Sequence, residues 1–248
     1  MQRKNVLIGA LVLINAVLLV FLTIVSFHYQ VPQKVLNRLG IINLPVSRVH
    51  PGYNKNNIIS LTYERGDFDI LMLGDSITNN GNWNELFKNK KIANLGINGD
   101  TTEGVLNRLS DVYLLNPRKC LLMIGINDLH GNRSVEDILE NYRKIVREIK
   151  QHDITLIIQP VLHLGEKYHI NHTAGKNRND WENINKKVQR LNKELEKMAN
   201  GYEAEYIDLN KELSVNNILI EKYGAEDGLH ISQPGYEKWA EIIRPFIE

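Results

Sequence analysis

Five short apolar runs recur along the chain from residue 68 onward, at intervals that leave room for a helix between neighbours. They cover residues 68–73, 92–95, 120–124, 155–159 and 204–209. Runs this short and nearly continuous are typical of parallel strands that are covered on both faces. The pattern therefore predicts five buried parallel strands.

Several segments between these runs have apolar residues three and four positions apart. They cover residues 101–115, 134–151 and 180–200, and a last one, residues 234–247, follows the fifth run. This spacing is that of helices with one buried face. Strands that alternate with helices predict a doubly wound α/β sheet. If its strand order is 2-1-3-4-5, the first strand lies between the second and the third.

Residues 6–27 differ from the rest, because they are dominated by Leu, Val and Ile and contain no charged residue. About 22 residues of helix can cross a hydrocarbon layer of roughly 30 Å. We therefore predict that residues 1–29 form a membrane anchor. A cleaved signal peptide is the alternative, but the stretch exceeds the usual apolar region of about 7–15 residues, and no small-residue cleavage pattern follows it.

Basic residues give little indication of how this anchor is oriented. Two precede the apolar stretch and two follow it, namely Arg3, Lys4, Lys34 and Arg38, so the positive-inside rule is nearly balanced. A short N-terminal tail with a single apolar segment most often leaves the bulk of the chain outside. We expect a single-pass protein of the cell membrane with its main domain outside the cell.

The prolines, the net charge and the single cysteine indicate a domain boundary and exclude some functions. Residues 30–66 contain Pro32, Pro45 and Pro51 without sustained periodicity, which predicts a linker before a domain at residues 67–248. The formal net charge of +1 gives no reason to expect nucleic acid as a partner. Cys120 is the only cysteine and lies in an apolar run, which favours a buried thiol and excludes an internal disulfide.

Four short polar motifs follow the predicted elements in a fixed order. They are Gly74-Asp75-Ser76, Asn94-Leu95-Gly96, Gly125-Ile126-Asn127-Asp128 and Asp227-Gly228-Leu229-His230. The first three come at the carboxyl ends of the first three strands, where open α/β sheets place their ligand crevice. Adjacent strands would bring Ser76, Gly96 and Asn127 together.

These residue types suit the hydrolysis of an ester. Ser76 is the candidate nucleophile and His230 the candidate base, because a serine hydroxyl needs a neighbouring base before it attacks a carbonyl. Asp227 would fix the tautomer of the His230 ring. Gly96 and Asn127 are the candidate donors to the oxyanion. A helix cap, a surface turn or an Asx turn is the simpler explanation for each motif taken alone.

The four motifs together resemble those of the SGNH hydrolases, also called the GDSL family, whose signature residues match Ser76, Gly96, Asn127 and His230. The resemblance implies a three-layer α/β/α flavodoxin-like fold with a five-stranded parallel sheet of order 2-1-3-4-5, Ser-Asp-His catalysis and no cofactor. It also implies an oxyanion hole formed by the Ser76 amide, the Gly96 amide and the Asn127 side chain. Residues 98–109 look like the platelet-activating-factor acetylhydrolase branch, which suggests small acyl groups.

The polar stretch at residues 162–180 has weaker signals. His163, His169 and His172 match no standard zinc spacing, so we predict no metal and a loop that shapes the substrate site. Tyr168 and Trp181 would line an acyl or sugar site or anchor this loop.

The function that we expect is a membrane-tethered esterase that removes short acyl groups, chiefly O-acetyl, from a glycan or related polymer. A lipase, lysophospholipase or thioesterase acting on lipid is the first alternative. An O-acyltransferase with the same triad and a binding module without catalysis are the others.

Overall fold

The computed structural model describes residues 68–168 and 178–247, with side chains from residue 181 in the second range. The chain divides into two units, Met1–Arg48 and Val49–Glu248, and all described residues belong to the second. The predicted anchor, the predicted linker, His169 and His172 lie outside the described residues. Within the described ranges, no helix is both long and apolar enough to cross a membrane.

A five-stranded parallel sheet forms the centre of the fold, in the order β2-β1-β3-β4-β5. Its strands are β1 (Phe68–Gly74), β2 (Ile92–Gly96), β3 (Pro117–Met123), β4 (Thr155–Ile158) and β5 (Glu205–Tyr206). The α/β class and the strand order predicted from the sequence are confirmed. Gly74 pairs with Gly96 on one side and with Met123 on the other, so β1, β2 and β3 end level with one another.

Helices follow the strands, and a small antiparallel hairpin comes late in the chain. The helices are α1 (Ser76–Asn79), α2 (Trp83–Leu86), α3 (Thr102–Leu106), α4 (Leu109–Leu115), α5 (Ile126–His130), α6 (Val135–Lys150), α7 (Arg178–Gly201), α8 (Asn210–Leu213) and α9 (Gln233–Ile247). The hairpin consists of β6 (Ser214–Val215) and β7 (Ile218–Leu219).

One predicted helix, at residues 101–115, is two helices in the structure. The chain leaves helical geometry at Arg108, with φ −127° and ψ 20°, and the Arg108 side chain turns inward to Asp100. This buried ion pair stabilises the chain only once the tertiary structure has formed. The spacing of apolar residues along the sequence therefore did not indicate the break in the helix. Asn116 then ends α4 in the left-handed conformation, and Pro117 begins β3.

The long helices match the prediction closely because their buried faces and caps are local. Ser134 caps α6, and its hydroxyl accepts from the Asp137 N–H at 3.1 Å. The buried face of α6 includes Ile138, Tyr142, Ile145 and Ile149. Cys120 is buried in the core, as expected from its position in an apolar run. Burial raises the pKa of its thiol to about 12, which leaves it without nucleophilic character.

Candidate active site

The turn from β1 into α1 places Ser76 at the start of a helix. Asp75 is the N-cap of α1, and its side-chain Oδ1 accepts from the Ile77 N–H at 2.9 Å. A Cβ at Gly74 would lie 2.2 Å from Thr78 Oγ1 and 2.3 Å from the Met123 carbonyl oxygen, so only glycine fits this tight turn. The Ser76 N–H, in the first turn of α1, therefore points out of the helix end without an intrahelical acceptor.

His230 lies within hydrogen-bond distance of both of its predicted partners. Its Nε2 is 2.8 Å from Ser76 Oγ, and its Nδ1 is 2.5 Å from Asp227 Oδ2. The other Asp227 oxygen accepts from the backbone N–H groups of Leu229 and His230, each at 2.9 Å. The turn therefore fixes the carboxylate, and the carboxylate fixes the imidazole ring.

The ionisation of Asp227 suits this arrangement. Partial burial acts to raise its pKa, but hydrogen bonds from the His230 ring and from the His230 and Leu229 amides outweigh burial and hold the pKa below its ordinary value. Asp227 is therefore a carboxylate at neutral pH and accepts a hydrogen bond from the Nδ1–H group. Nε2 is then the nitrogen that can take a proton from Ser76.

Asn127 lies in the first turn of α5, at the edge where β3 ends. One of its amide N–H groups donates to the Asp100 carbonyl oxygen at 2.9 Å. The amide has two such groups, so one remains for a ligand. The helix begins after Gly125, whose φ of +130° lets the chain turn sharply out of β3.

Gly96 has a different role from the one predicted. Its N–H donates to the Asn94 side-chain oxygen at 2.9 Å, and a Cβ there would lie 2.2 Å from the Asn79 backbone nitrogen. Gly96 therefore lets α1 pack closely on β2. Its N–H is already engaged, so it is not available to an oxyanion in this structure.

Gly99 offers a backbone N–H that the sequence reasoning missed. It is exposed and has a φ of +75°, and its N–H has no protein acceptor among the described residues. Its neighbours are tied to the site: the Asn98 side chain accepts from Asn79 at 3.0 Å, and the Asp100 carbonyl accepts from Asn127. The Asn-Gly pair, a common signal for a turn with positive φ, could have indicated it.

A buried polar cluster lies directly beneath these groups. Arg108 is fully buried, and its Nε donates to Asp100 Oδ2 at 2.9 Å while its Nη2 donates to the Gly74 carbonyl at 3.1 Å. Asp128, also buried, accepts from the Thr102 N–H and hydroxyl. The cluster thus ties the loop with Gly99 to the strand end that precedes Ser76. Sequence reasoning did not single out Arg108 or Asp100.

Asp75 belongs to the same buried region, and its ionisation is costly. Burial, together with the charges of Asp100 and Asp128, raises its pKa to about 7, against smaller opposing effects of the Ile77 N–H and His230. The folded protein therefore holds this proton up to about neutral pH, whereas the unfolded chain releases it near pH 3.8. Raising the pH across this window favours unfolding.

We expect Asp75→Asn to remove this pH dependence, because the amide keeps an oxygen for the Ile77 N–H but does not titrate. Between about pH 4 and 8, the wild type should lose roughly 4 kcal/mol of stability relative to the variant. Chemical denaturation of both proteins at several pH values measures this difference. Asp153→Asn, at an exposed position, is the control. A constant difference between wild type and Asp75→Asn at all pH values would contradict the expectation.

The described part of the segment after β4 packs on the Asp227–His230 turn. The Trp181 indole N–H donates to the Gly165 carbonyl at 3.0 Å, so Trp181 anchors the segment. His163 is buried, and burial lowers its pKa to about 4. Within residues 68–168 and 178–247 there is no group of three potential metal ligands.

The model of the GDSL-like lipase/acylhydrolase family matches residues 72–238, more than half of the chain. The chain belongs to this family. The matched range includes Ser76, Asn127, Asp227 and His230, and membership makes the protein a serine ester hydrolase.

Known proteins that are similar to this chain in sequence or structure include a mammalian enzyme subunit. Platelet-activating factor acetylhydrolase IB subunit alpha2 of Rattus norvegicus is 28% identical over 187 residues, covering 73% of this chain and 75% of that protein. A GDSL-like lipase from Bacteroides thetaiotaomicron superposes with a TM-score of 0.65 at 21% identity, covering 79% of this chain and 96% of the other. The structure of the acetyl xylan esterase AlAXEase superposes with a TM-score of 0.58 at 17% identity, covering 72% of this chain and 98% of the other.

Proposed function

We propose that this protein is a membrane-anchored serine esterase that removes short acyl groups, chiefly O-acetyl, from glycans or related substrates at the cell surface. The observation that carries the catalytic part is the 2.8 Å contact between His230 Nε2 and Ser76 Oγ, with Asp227 on the other ring nitrogen. A serine hydroxyl in contact with an oriented imidazole is the arrangement that acyl transfer to serine needs.

The proposed reaction has two halves. Ser76 Oγ attacks the ester carbonyl carbon while its proton passes to His230 Nε2. The tetrahedral intermediate then expels the alcohol, which takes that proton and leaves an acyl-serine. A water molecule, deprotonated by His230, attacks the acyl-serine, and the acid departs as Ser76 regains its proton.

The oxyanion would be held by three N–H donors, from the Ser76 backbone, the Gly99 backbone and the Asn127 side chain. Gly99 replaces Gly96, the donor that we predicted from the sequence, because the Gly96 N–H is bound to Asn94 whereas the Gly99 N–H has no acceptor among the described residues. Preorganised donors of this kind contribute most when charge develops in the transition state.

Replacing the Asn127 side chain tests this assignment. We expect Asn127→Ala to lower kcat by roughly 10²–10³ with little change in KM, since the donor acts on the transition state. Asn141→Ala is a matched control, because Asn141 donates to Thr102 in the same polar cluster but has no proposed contact with substrate. Equal losses in the two variants would show that only the integrity of the cluster matters.

The short acyl group is supported by the relatives that are named acetylhydrolases. Because AlAXEase has the same fold, this architecture is compatible with an acetylated polysaccharide. Anchoring rests on the sequence alone: residues 6–27 are apolar and uncharged and long enough to cross a bilayer. A location outside the cell would place the enzyme beside surface glycans.

The decisive experiment uses the full-length chain in detergent and the Ser76→Ala variant. A fluorophosphonate probe should label the wild type and not the variant. A panel of esters from acetyl to palmitoyl, together with acetylated polysaccharides, should show the highest kcat/KM for acetyl esters. Preference for long acyl chains would favour a lipase, and acyl transfer to an added sugar would favour a transferase. Absence of labelling in folded protein would favour a binding module.

Anchoring needs its own measurement. Fusions of a reporter that is active only after export, placed near Tyr53, should be active and remain with the membrane after alkaline extraction. Release of the reporter in soluble form would favour a cleaved signal peptide, and an inactive reporter would contradict the external location.

A further inference from the structure

The helix that presents Ser76 is too short to hold its own position. Helix α1 has only four residues, and a single helical turn is not stable by itself. The carbonyl of the buried Ile77 also lacks a backbone partner, because the Gly81 N–H, four residues on, donates to the Thr78 carbonyl at 3.3 Å instead. A donor from elsewhere in the fold must therefore satisfy the Ile77 carbonyl.

Tyr236 in α9 supplies this donor. Its hydroxyl donates to the Ile77 carbonyl at 2.7 Å. The side chain is buried, and its ring packs edge-on against Trp83 with 5.8 Å between the centroids. Burial raises the pKa of the Tyr236 phenol above its ordinary value. The hydroxyl therefore keeps its proton and remains a hydrogen-bond donor.

The other carbonyls at the end of α1 are bound by side chains that lie close to it in sequence. The Trp83 indole N–H donates to the Thr78 carbonyl at 2.9 Å. The Asn94 side-chain amide donates to the carbonyls of Thr78 at 3.2 Å and Asn79 at 3.0 Å. These two donors belong to α2 and β2, which carry neither the base nor its carboxylate. Tyr236 is different, because α9 directly follows the turn that carries the base.

The first turn of α9 is joined to the segment that carries His230. The His230 carbonyl accepts from the Ala225 N–H at 2.8 Å. The Ser232 N–H donates to the Tyr223 carbonyl at 2.8 Å, and the Ser232 carbonyl accepts from the Tyr236 N–H at 3.0 Å. These backbone hydrogen bonds hold Tyr236 and His230 at a fixed separation.

Among the residues that the structure describes, two hydrogen bonds join residues 76–79 to residues 220–247. One is the 2.8 Å contact between Ser76 Oγ and His230 Nε2, and the other is the bond from Tyr236 to the Ile77 carbonyl. The first is broken when Ser76 gives up its proton and attacks, so it cannot by itself keep the two groups at reacting distance. The second involves no reacting atom and persists through the reaction.

We propose that Tyr236 is a positioning residue: through the Ile77 carbonyl, its hydroxyl fixes the distance between Ser76 Oγ and His230 Nε2. The inference rests on the proposed function, because it concerns the nucleophile and the base of that reaction. A misplacement of about 1 Å in a catalytic site can lower the rate about 10²-fold. Tyr236 acts through α1 and not on the substrate, so loss of its hydroxyl should lower kcat and leave KM nearly unchanged.

Tyr236→Phe tests the proposal, because it removes the hydroxyl and keeps the ring that packs on Trp83. We expect kcat for a short acyl ester, and the rate constant for phosphonylation of Ser76 by a fluorophosphonate, to fall about tenfold, with KM changed by less than about twofold. Thermal denaturation confirms that the variant is folded at the assay temperature. A crystal structure of the variant should show Ser76 Oγ more than about 3.2 Å from His230 Nε2, beyond hydrogen-bond reach.

Tyr206→Phe is the matched control. The Tyr206 hydroxyl also donates to a backbone carbonyl, that of Asn192 at 3.4 Å, but it joins β5 to α7, which carry no reacting group. This variant should keep the wild-type rates.

Three results would overturn the role of Tyr236: wild-type rates in folded Tyr236→Phe, an effect on KM alone, or an unchanged distance between Ser76 Oγ and His230 Nε2. Hydrolysis by Ser76→Ala at the wild-type rate would instead overturn the proposed function. The measured distance would still show whether Tyr236 positions Ser76, so the two failures are distinguishable.

Discussion

Asp227→Asn is expected to lower kcat about 10⁴-fold while the fold is retained, a loss of the size known for the same change in a serine protease triad. The asparagine oxygen can still accept from the Leu229 and His230 amides, so the turn should persist. Its NH₂ group, however, faces His230 Nδ1 and must donate to it. The ring then carries its proton on Nε2, and Nε2 can no longer take the proton of Ser76.

Steady-state kinetics with a short acyl ester, combined with thermal denaturation, measures this effect. Asp208→Asn is a matched control, because Asp208 is exposed and also accepts from a backbone N–H two residues on, that of Asn210. That variant should keep nearly full activity. A loss below tenfold in Asp227→Asn, with unchanged thermal stability, would show that the carboxylate does not set the tautomer of His230.

The second large effect concerns stability and the buried ion pair between Arg108 and Asp100. The Arg108 side chain is 1% exposed to solvent and the Asp100 side chain 5%. Arg108→Met would leave the Asp100 carboxylate buried without its partner, and we expect a loss of about 3–5 kcal/mol in the free energy of unfolding. Activity should also fall in the protein that remains folded, since Arg108 ties the Gly99 loop to the Gly74 carbonyl.

A double variant distinguishes the lost pair from lost packing. Asp100→Asn combined with Arg108→Met removes both charges, while the Asn oxygen can still accept from the Thr101 N–H as Asp100 does. The double variant should therefore be more stable than Arg108→Met alone. Arg118→Met is the surface control, because Arg118 lies 4.0 Å from Asp69 and is 79% exposed; its effect should stay within about 0.5 kcal/mol. Additive losses in the double variant would contradict the buried-charge explanation.

The long helices and the strands could be predicted because the information for them is local. The face of α6 repeats every three to four residues, and Ser134 caps it within one turn. The five apolar runs correspond to five strands, whereas the strand order 2-1-3-4-5 is not local information and was implied by the resemblance to the SGNH hydrolases. The break at Arg108 could not be predicted in this way, since it depends on a partner eight residues away that is buried only in the folded protein.

The candidate site was only partly predictable for the same reason. Ser76, Asp227 and His230 were identified from motif order, and the structure brings them into contact although Ser76 and His230 are 154 residues apart. The glycine that donates to the oxyanion could not be identified from motif order. Gly96 is the last residue of β2 and Gly99 follows three residues later, and only hydrogen bonding in the folded chain shows that the Gly96 N–H is engaged by Asn94.

The sequence by itself determined the class of fold and the candidate reacting side chains, because periodicity, caps and ordered motifs are properties of the chain, and its resemblance to the SGNH hydrolases implied the order of the strands. The tertiary structure decided which glycine N–H is available and which charges are buried together beneath Ser76. Each of these depends on burial and on contacts between distant segments, which exist only once the strands have aligned their ends.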